Sequence, residues 1–140
     1  MITKLLSYKI NEFISPDIAI AFLRIVTSAT MLTHGIPKLM RILEGDWNFR
    51  DPIGLGPELS LILITFAEFF CAFLVLIGFA TRLAAIPLII GMAITYFIVH
   101  GDDPFSQSEK SFMFMYLYIL IFFTGSGKYS VDRILFKGKR

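Results

Sequence analysis

Apolar positions along this chain gather into four long runs separated by short polar breaks. The first, from Ile18 to Leu39, reads IAIAFLRIVTSATMLTHGIPKL. As a helix rising 1.5 Å per residue it is roughly 33 Å long, about the thickness of a bilayer's hydrocarbon core. The second run (Leu59–Phe79) and the third (Leu83–Val99) are more uniformly apolar, and the fourth covers about 108–125. The pattern predicts an all-α integral membrane protein with four antiparallel spans, forming a single domain over 1–140.

Polar residues inside these runs carry the most information. A charge near the middle of a membrane helix costs roughly 2.5–3.5 kcal/mol unless it faces a partner, a cavity or the interface. Arg24 therefore needs somewhere to place its guanidinium. At 100° per residue, Thr27, Ser28, Met31, Gly35 and Lys38 fall within about 60° of Arg24, and His34 lies just beyond at about 80°. One polar stripe should face protein rather than lipid. In the second run Glu68 sits beside the midpoint, the costliest placement in the chain, and it reads either as a tie between helices or as part of a site. Because the first two spans run antiparallel, an arginine side chain could bridge their depths, so an ion pair between Arg24 and Glu68 is expected, with His34 as the alternative partner.

The breaks between runs set the boundaries. Ser15-Pro16-Asp17 supplies an N-cap, a proline at the first helical position and an acid in the first turn. Pro37 frees the carbonyl of Thr33, which predicts a kink or an end near His34-Gly35. The polar stretch 40–57 becomes an outer loop, with Trp47 and Phe49 suited to the headgroup level; it is either a plain connection or a lid. Thr81-Arg82 reads as a tight turn, and Ser106-Gln107-Ser108-Glu109 has the form of a capping box, so Glu109 is either a cap or a site residue. Met1 to Phe13 reads as an uncleaved N-terminus with a short surface helix, and the basic tail 128–140 as a segment lying on an anionic cytoplasmic surface.

Composition agrees with the pattern: 56% of residues are hydrophobic and 15% aromatic, with a mean hydropathy of +0.71, well outside the range of soluble domains. The net charge of +2 is too small to indicate nucleic acid. Its distribution decides orientation. Lys4, Lys9, Arg82, Lys128, Arg133, Lys137, Lys139 and Arg140 share one side, against Lys38, Arg41, Arg50 and Lys110 on the other, so both termini are expected in the cytoplasm. Cys71, the lone cysteine, excludes an intrachain disulfide and reads as a small buried hydrophobe. Two histidines without a ligand spacing make a poor metal site.

The motifs agree in order with a known family. Arg24 in the first span, the His34-Gly35-x-x-Lys38-Leu39 end, Glu68, the Leu76-x-Gly78-x-x-Thr81-Arg82 stretch, Glu109, and the closing Gly125-x-Gly127-x-Tyr129-Ser130-x-Asp132 together resemble the DoxX family along essentially the whole chain. The resemblance implies a four-helix membrane bundle, often associated with redox systems, in a bacterial cytoplasmic membrane. It does not fix one activity. One branch resembles the membrane subunit of a thiosulfate:quinone oxidoreductase, and distant relatives look like receptor-assembly chaperones.

Two functions follow. The first is a redox-linked subunit of a quinone oxidoreductase whose polar interior binds a quinone head group. His34, Lys38, His100 and Glu109 would line an outer-leaflet site, Glu68 its floor, and Tyr96, Phe112 and Tyr116 its walls. No residue is singled out as catalytic, and electron chemistry would require a protein partner. The second is a non-catalytic scaffold or assembly chaperone, acting with a partner protein or as a homo-oligomer. The orientation is testable on its own: a cysteine introduced at Asn48 is expected to react with impermeant reagents from the outer side, and labelling only from the cytoplasm would reverse the topology.

Overall fold

The computed structural model describes residues 15–137 and is helical, with no strand among them. The N-terminal surface helix expected over Met1 to Phe13 lies outside the described residues, as do 138–140 of the basic tail. Four long helices follow one another: α1 (Pro16–Glu44), α2 (Pro57–Ile77), α3 (Thr81–Val99) and α4 (Phe105–Thr124). A short α5 (Val131–Phe136) closes the chain. α1, α2 and α3 are each long and apolar enough to cross a membrane. α4 has comparable length, but its first turns hold Ser106, Gln107, Ser108, Glu109 and Lys110.

Several boundaries differ from expectation. Pro37 neither ends nor caps α1, which runs on to Glu44 and closes at Gly45 in a left-handed conformation. There Asp46 N–H donates to the Arg41 carbonyl at 2.9 Å and Gly45 N–H to that of Ile42 at 3.2 Å, the pairing of a Schellman closure. The loop is correspondingly shorter than 40–57. The α2–α3 turn is made by Gly78-Phe79-Ala80 rather than Thr81-Arg82, which already belong to α3. The capping box does not form, because Ser106 is itself helical and Pro104 precedes the first turn.

Neighbouring helices run antiparallel, as their cross-contacts show. Arg24 of α1 meets Val75 and Leu76 of α2, whereas Gly35 meets Glu68. Arg82 of α3 meets Phe123 of α4, whereas the Tyr96 and Phe112 rings lie 5.3 Å apart. The close α1–α2 crossing depends on Gly35: a Cβ there would strike the Glu68 carbonyl. At this crossing α2 widens into a π-helical turn over Phe66–Cys71. The expected inward stripe of α1 is the one buried, namely Arg24, Thr27, Ser28, Met31 and Gly35.

The interior is unusually polar and the surface unusually apolar. Arg24, Thr27, Ser28, Glu68 and Thr81 are buried beside Met31, Leu88, Tyr118 and Ile121, while Phe22, Leu83, Phe97 and Phe123 are largely exposed. That distribution suits hydrocarbon as the surrounding solvent. Arg24, only 2% exposed, is held by three main-chain carbonyls. Its Nη1 donates to Val75 O at 2.9 Å and Leu76 O at 2.5 Å, and Nη2 donates to Tyr129 O at 2.6 Å.

The expected Arg24–Glu68 ion pair is absent for a physical reason. Arg24 lies level with the C-terminal end of α2, about 10 Å along that helix from Glu68. The spare acceptor capacity of the last carbonyls and the negative dipole end there attract a cation. Three bonds to a charged donor, at roughly 1.5–3 kcal/mol each, outweigh the ~3 kcal/mol cost of the placement. Replacing Arg24 with Gln removes the charged donor that these carbonyls share, so Arg24→Gln is expected to lower stability by about 3 kcal/mol, read as a depressed melting temperature in detergent. An unchanged melting curve would refute the assignment.

Candidate functional site

At the opposite end from Arg24, α1, α2 and α3 diverge around a cavity of about 510 Å³, within the range that holds small-molecule ligands. α2 contributes Ser60, Leu63, Ile64, Phe66, Ala67 and Glu68. α3 contributes Pro87, Ile90, Gly91, Ile94, Thr95 and Val99. α1 contributes Lys38, and the 45–56 loop closes the outer end with Phe49, Arg50, Pro52, Ile53 and Leu55. The loop is thus part of the cavity wall as well as a connection.

Lys38 and Glu68 form a salt bridge here, across the α1–α2 crossing. Glu68 is 4% exposed and Lys38 half-buried. The extension of α1 beyond Pro37 keeps Lys38 on the inward stripe, one turn past Gly35, while the π-helical turn carries Glu68 to meet it. Lys38 Nζ also lies 3.4 Å from the His34 carbonyl, so two of its three ammonium donors have partners and one is available to the cavity. Thr95 and Ser60 are committed elsewhere: the Thr95 hydroxyl donates to Gly91 O at 2.8 Å, and that of Ser60 to Asp51 at 3.1 Å.

Asp51 organises the roof. Its carboxylate accepts from Leu55 N–H and Gly56 N–H, both at 2.9 Å, and from Ser60. The Gly56 amide bond, with the others, holds this carboxyl below its usual range. On the same loop Asp46 accepts from Asn48 N–H at 3.2 Å and from Arg41 Nε at 2.8 Å, which holds it low as well. Gly54 and Gly56, both at positive φ, allow the chain to wrap around Asp51.

The residues expected to form one site are divided. Lys38 and Glu68 come together in the cavity. His34 is exposed and meets Phe114 edge-on at 5.8 Å; it falls off the inward stripe, as its angle on the helix wheel allows. The His100 ring pairs with Asp103 at 2.7 Å beyond the end of α3. Glu109 is exposed on α4, which does not line the cavity. Tyr96, Phe112 and Tyr116 cluster on a separate α3–α4 face, with centroids 4.7–5.3 Å apart along the chain of rings. Among the described residues no three of His, Cys, Asp and Glu are placed to hold a metal ion. Arg50, Asp51, Ile90 and Gly91 were missed as site residues. Pro87 and Gly91, four residues apart on α3, were the readable sign that this wall lacks bulk.

Comparison with known proteins adds to this geometry. A profile of the DoxX family matches residues 19–101. CatD of Bacillus subtilis (strain 168), whose name assigns it provisionally to the oxidoreductases, is 28% identical over 125 residues, spanning 89% of this chain and 92% of its own. The inner membrane protein YqjF of Escherichia coli (strain K12) is 29% identical over 127 residues, spanning 86% and 95%. No solved structure matches significantly.

The roof has a testable acid response. A carboxyl with a lowered folded-state pKa contributes order fully above its ordinary value and loses it as pH falls through the lowered one. Trp47, the single tryptophan, reports on this loop. Its emission is expected to stay constant from pH 8 to about 5 and to change only below about 4. In Asp51→Ala it should already be shifted at pH 7, leaving only the acid response of Asp46. Emission at pH 7 identical to wild type would show that Asp51 does not hold the roof.

Proposed function

The chain belongs to the DoxX family of membrane proteins, and from that premise we propose that it is a redox-linked membrane subunit whose cavity binds a quinone head group. One observation carries this reading: the Lys38–Glu68 pair, with Glu68 buried, lies at the deep end of a largely apolar cavity of about 510 Å³. A bound quinone would supply two-electron, two-proton redox chemistry there. Apolar walls from Ile64, Ile90 and Ile94 suit the ring, and the remaining Lys38 ammonium donor suits a ring carbonyl. Glu68 is positioned to exchange a proton with a ring oxygen, and Lys38 balances its charge while it is ionised. Electrons would come from a redox group on a protein partner.

The same reading places α4 across the membrane as a fourth span, supported by its 20-residue length and its antiparallel packing along α3. The basic residues near Arg82 and the C-terminal segment support cytoplasmic termini, and the naming of YqjF as an inner membrane protein supports a bacterial cytoplasmic membrane. The scaffold alternative also has an observation in its favour: Arg24 joins α1, α2 and the closing segment without lining the cavity.

Quinone-analogue binding to the purified protein separates the two. Glu68→Gln and Lys38→Met are each expected to weaken binding at least tenfold, a loss of about 1.4 kcal/mol. His34→Ala and His100→Ala, lying outside the cavity, should leave affinity unchanged. Absent binding, or affinity indifferent to both Glu68→Gln and Lys38→Met, favours the scaffold.

A further inference from the structure

The geometry points to a lateral portal: the cavity opens between α2 and α3 into the hydrocarbon of the bilayer, and its ligand is a single-tailed amphiphile that enters from the membrane rather than from water. The nature of the head rests on the quinone reading; the route does not. Three cavity residues, Leu63 and Phe66 on α2 and Ile90 on α3, are also surface residues, 47%, 48% and 53% exposed. A side chain that lines a cavity and faces the surroundings at once marks a place where the wall is one residue thick. All three are apolar and lie on helices long and apolar enough to cross a membrane, so the medium they face is lipid.

The wall between them is thin because of its sequence. Gly91 puts no α3 side chain into the α2–α3 seam, which at this level is closed only by Ile64 Cδ1, 3.0 Å from where a Cβ would stand, and the Ala67 methyl, 4.0 Å from it. Pro87, inside α3, leaves a main-chain carbonyl unpaired and favours a bend at the same level. From Val99 down to Pro87 the α3 wall extends ~18 Å. The loop, braced by Asp51, covers the outer end. Charge is confined to Lys38 and Glu68 in the depth and Arg50 at the roof. A polar head against Lys38–Glu68, with an alkyl or prenyl tail leaving past Phe66 and Ile90 into the bilayer, matches that distribution. A wholly water-soluble ligand would leave the seam unexplained.

The test uses full-length protein in lipid nanodiscs, carrying Cys71→Ala and Ala67→Cys, so that the single thiol lies on the cavity wall. A lipid-soluble alkyl maleimide is expected to label it, and a membrane-impermeant sulfonated maleimide is not. Ile90→Trp, which fills the seam, should slow the lipid-soluble reaction tenfold or more. Ile64→Cys, on the same wall, repeats the measurement if Ala67→Cys folds poorly. Labelling by the impermeant reagent would show entry beneath the loop from water, and labelling by neither would show a closed cavity. Either result overturns the portal, as does a rate unaffected by Ile90→Trp. A decyl-tailed quinone that protects the thiol where its untailed head does not completes the expected pattern. Portal-type labelling without such protection keeps the route and removes the quinone.

Discussion

One guanidinium holds an end of this structure together. Arg24 is buried beside Gly78, and its two η nitrogens donate to carbonyls at the C-terminus of α2 and to Tyr129 O in the segment after α4. α1, α2 and the closing segment thereby share one cation, which also lies where the dipole of α2 is most negative. The neighbouring residues complete the knot. Asp132 caps the start of α3, accepting from Ala80 N–H at 2.9 Å and Thr81 N–H at 3.4 Å, and its own N–H donates to Gly78 O at 3.0 Å. Gly78 must be glycine twice over: its φ is 75°, and a Cβ would stand 2.8 Å from Arg24 Nη1. The scattered motif residues of the sequence, from Arg24 through Gly78 and Thr81 to Tyr129 and Asp132, are one contact set.

With that end fixed, the other end is free to diverge. Two apolar helices in lipid have little hydrophobic reason to stay together, so close approach and polar ties must hold them. At the Gly35–Glu68 crossing both devices occur at one level: glycine lets the backbones touch, and the Lys38–Glu68 pair ties them. Beyond it, toward the loop, no comparable crossing draws α3 to α1, and the space is the cavity. The π-helical turn belongs to this arrangement. It inserts an extra residue's worth of rotation into α2, which lets the Glu68 carbonyl lie against Gly35 while its carboxylate faces Lys38.

How much of this was legible in the sequence depended on whether a signal was periodic. The apolar runs and the inward face of α1 follow from a 100° repeat, and Arg24, Thr27, Ser28, Met31 and Gly35 are buried as that repeat requires. His34 sat at the margin of the same stripe and fell outside it. The partner of Arg24 was not legible, because every residue carries a carbonyl and the deciding factor was which helix end came level with it. An acid seemed the natural partner, and the nearest intramembrane acid was taken by Lys38 instead. Pro37 misled in the same way. A proline removes one donor, but Gly45 and the Arg41–Asp46 contacts supply the actual stop seven residues later. His34, His100 and Glu109 were grouped with Lys38 and Glu68 by depth alone, and depth does not say which residues line the same side of a bundle.

The α1–α2 crossing and the α2–α3 seam differ in what their small residues face. Gly35 faces another backbone, so its smallness is used up in bringing helices together. Gly91 faces the Ile64 side chain, whose Cδ1 stands 3.0 Å from where a Cβ would be, so its smallness admits a side chain. The same residue type thus seats a backbone at one interface and a side chain at the next. A buried acid at the joint between them is costly in hydrocarbon unless it is paired. Lys38 supplies the pairing for Glu68, and the adjoining space gives that pair something to act upon. Glu68 therefore stands at the tight crossing and on the cavity wall at once.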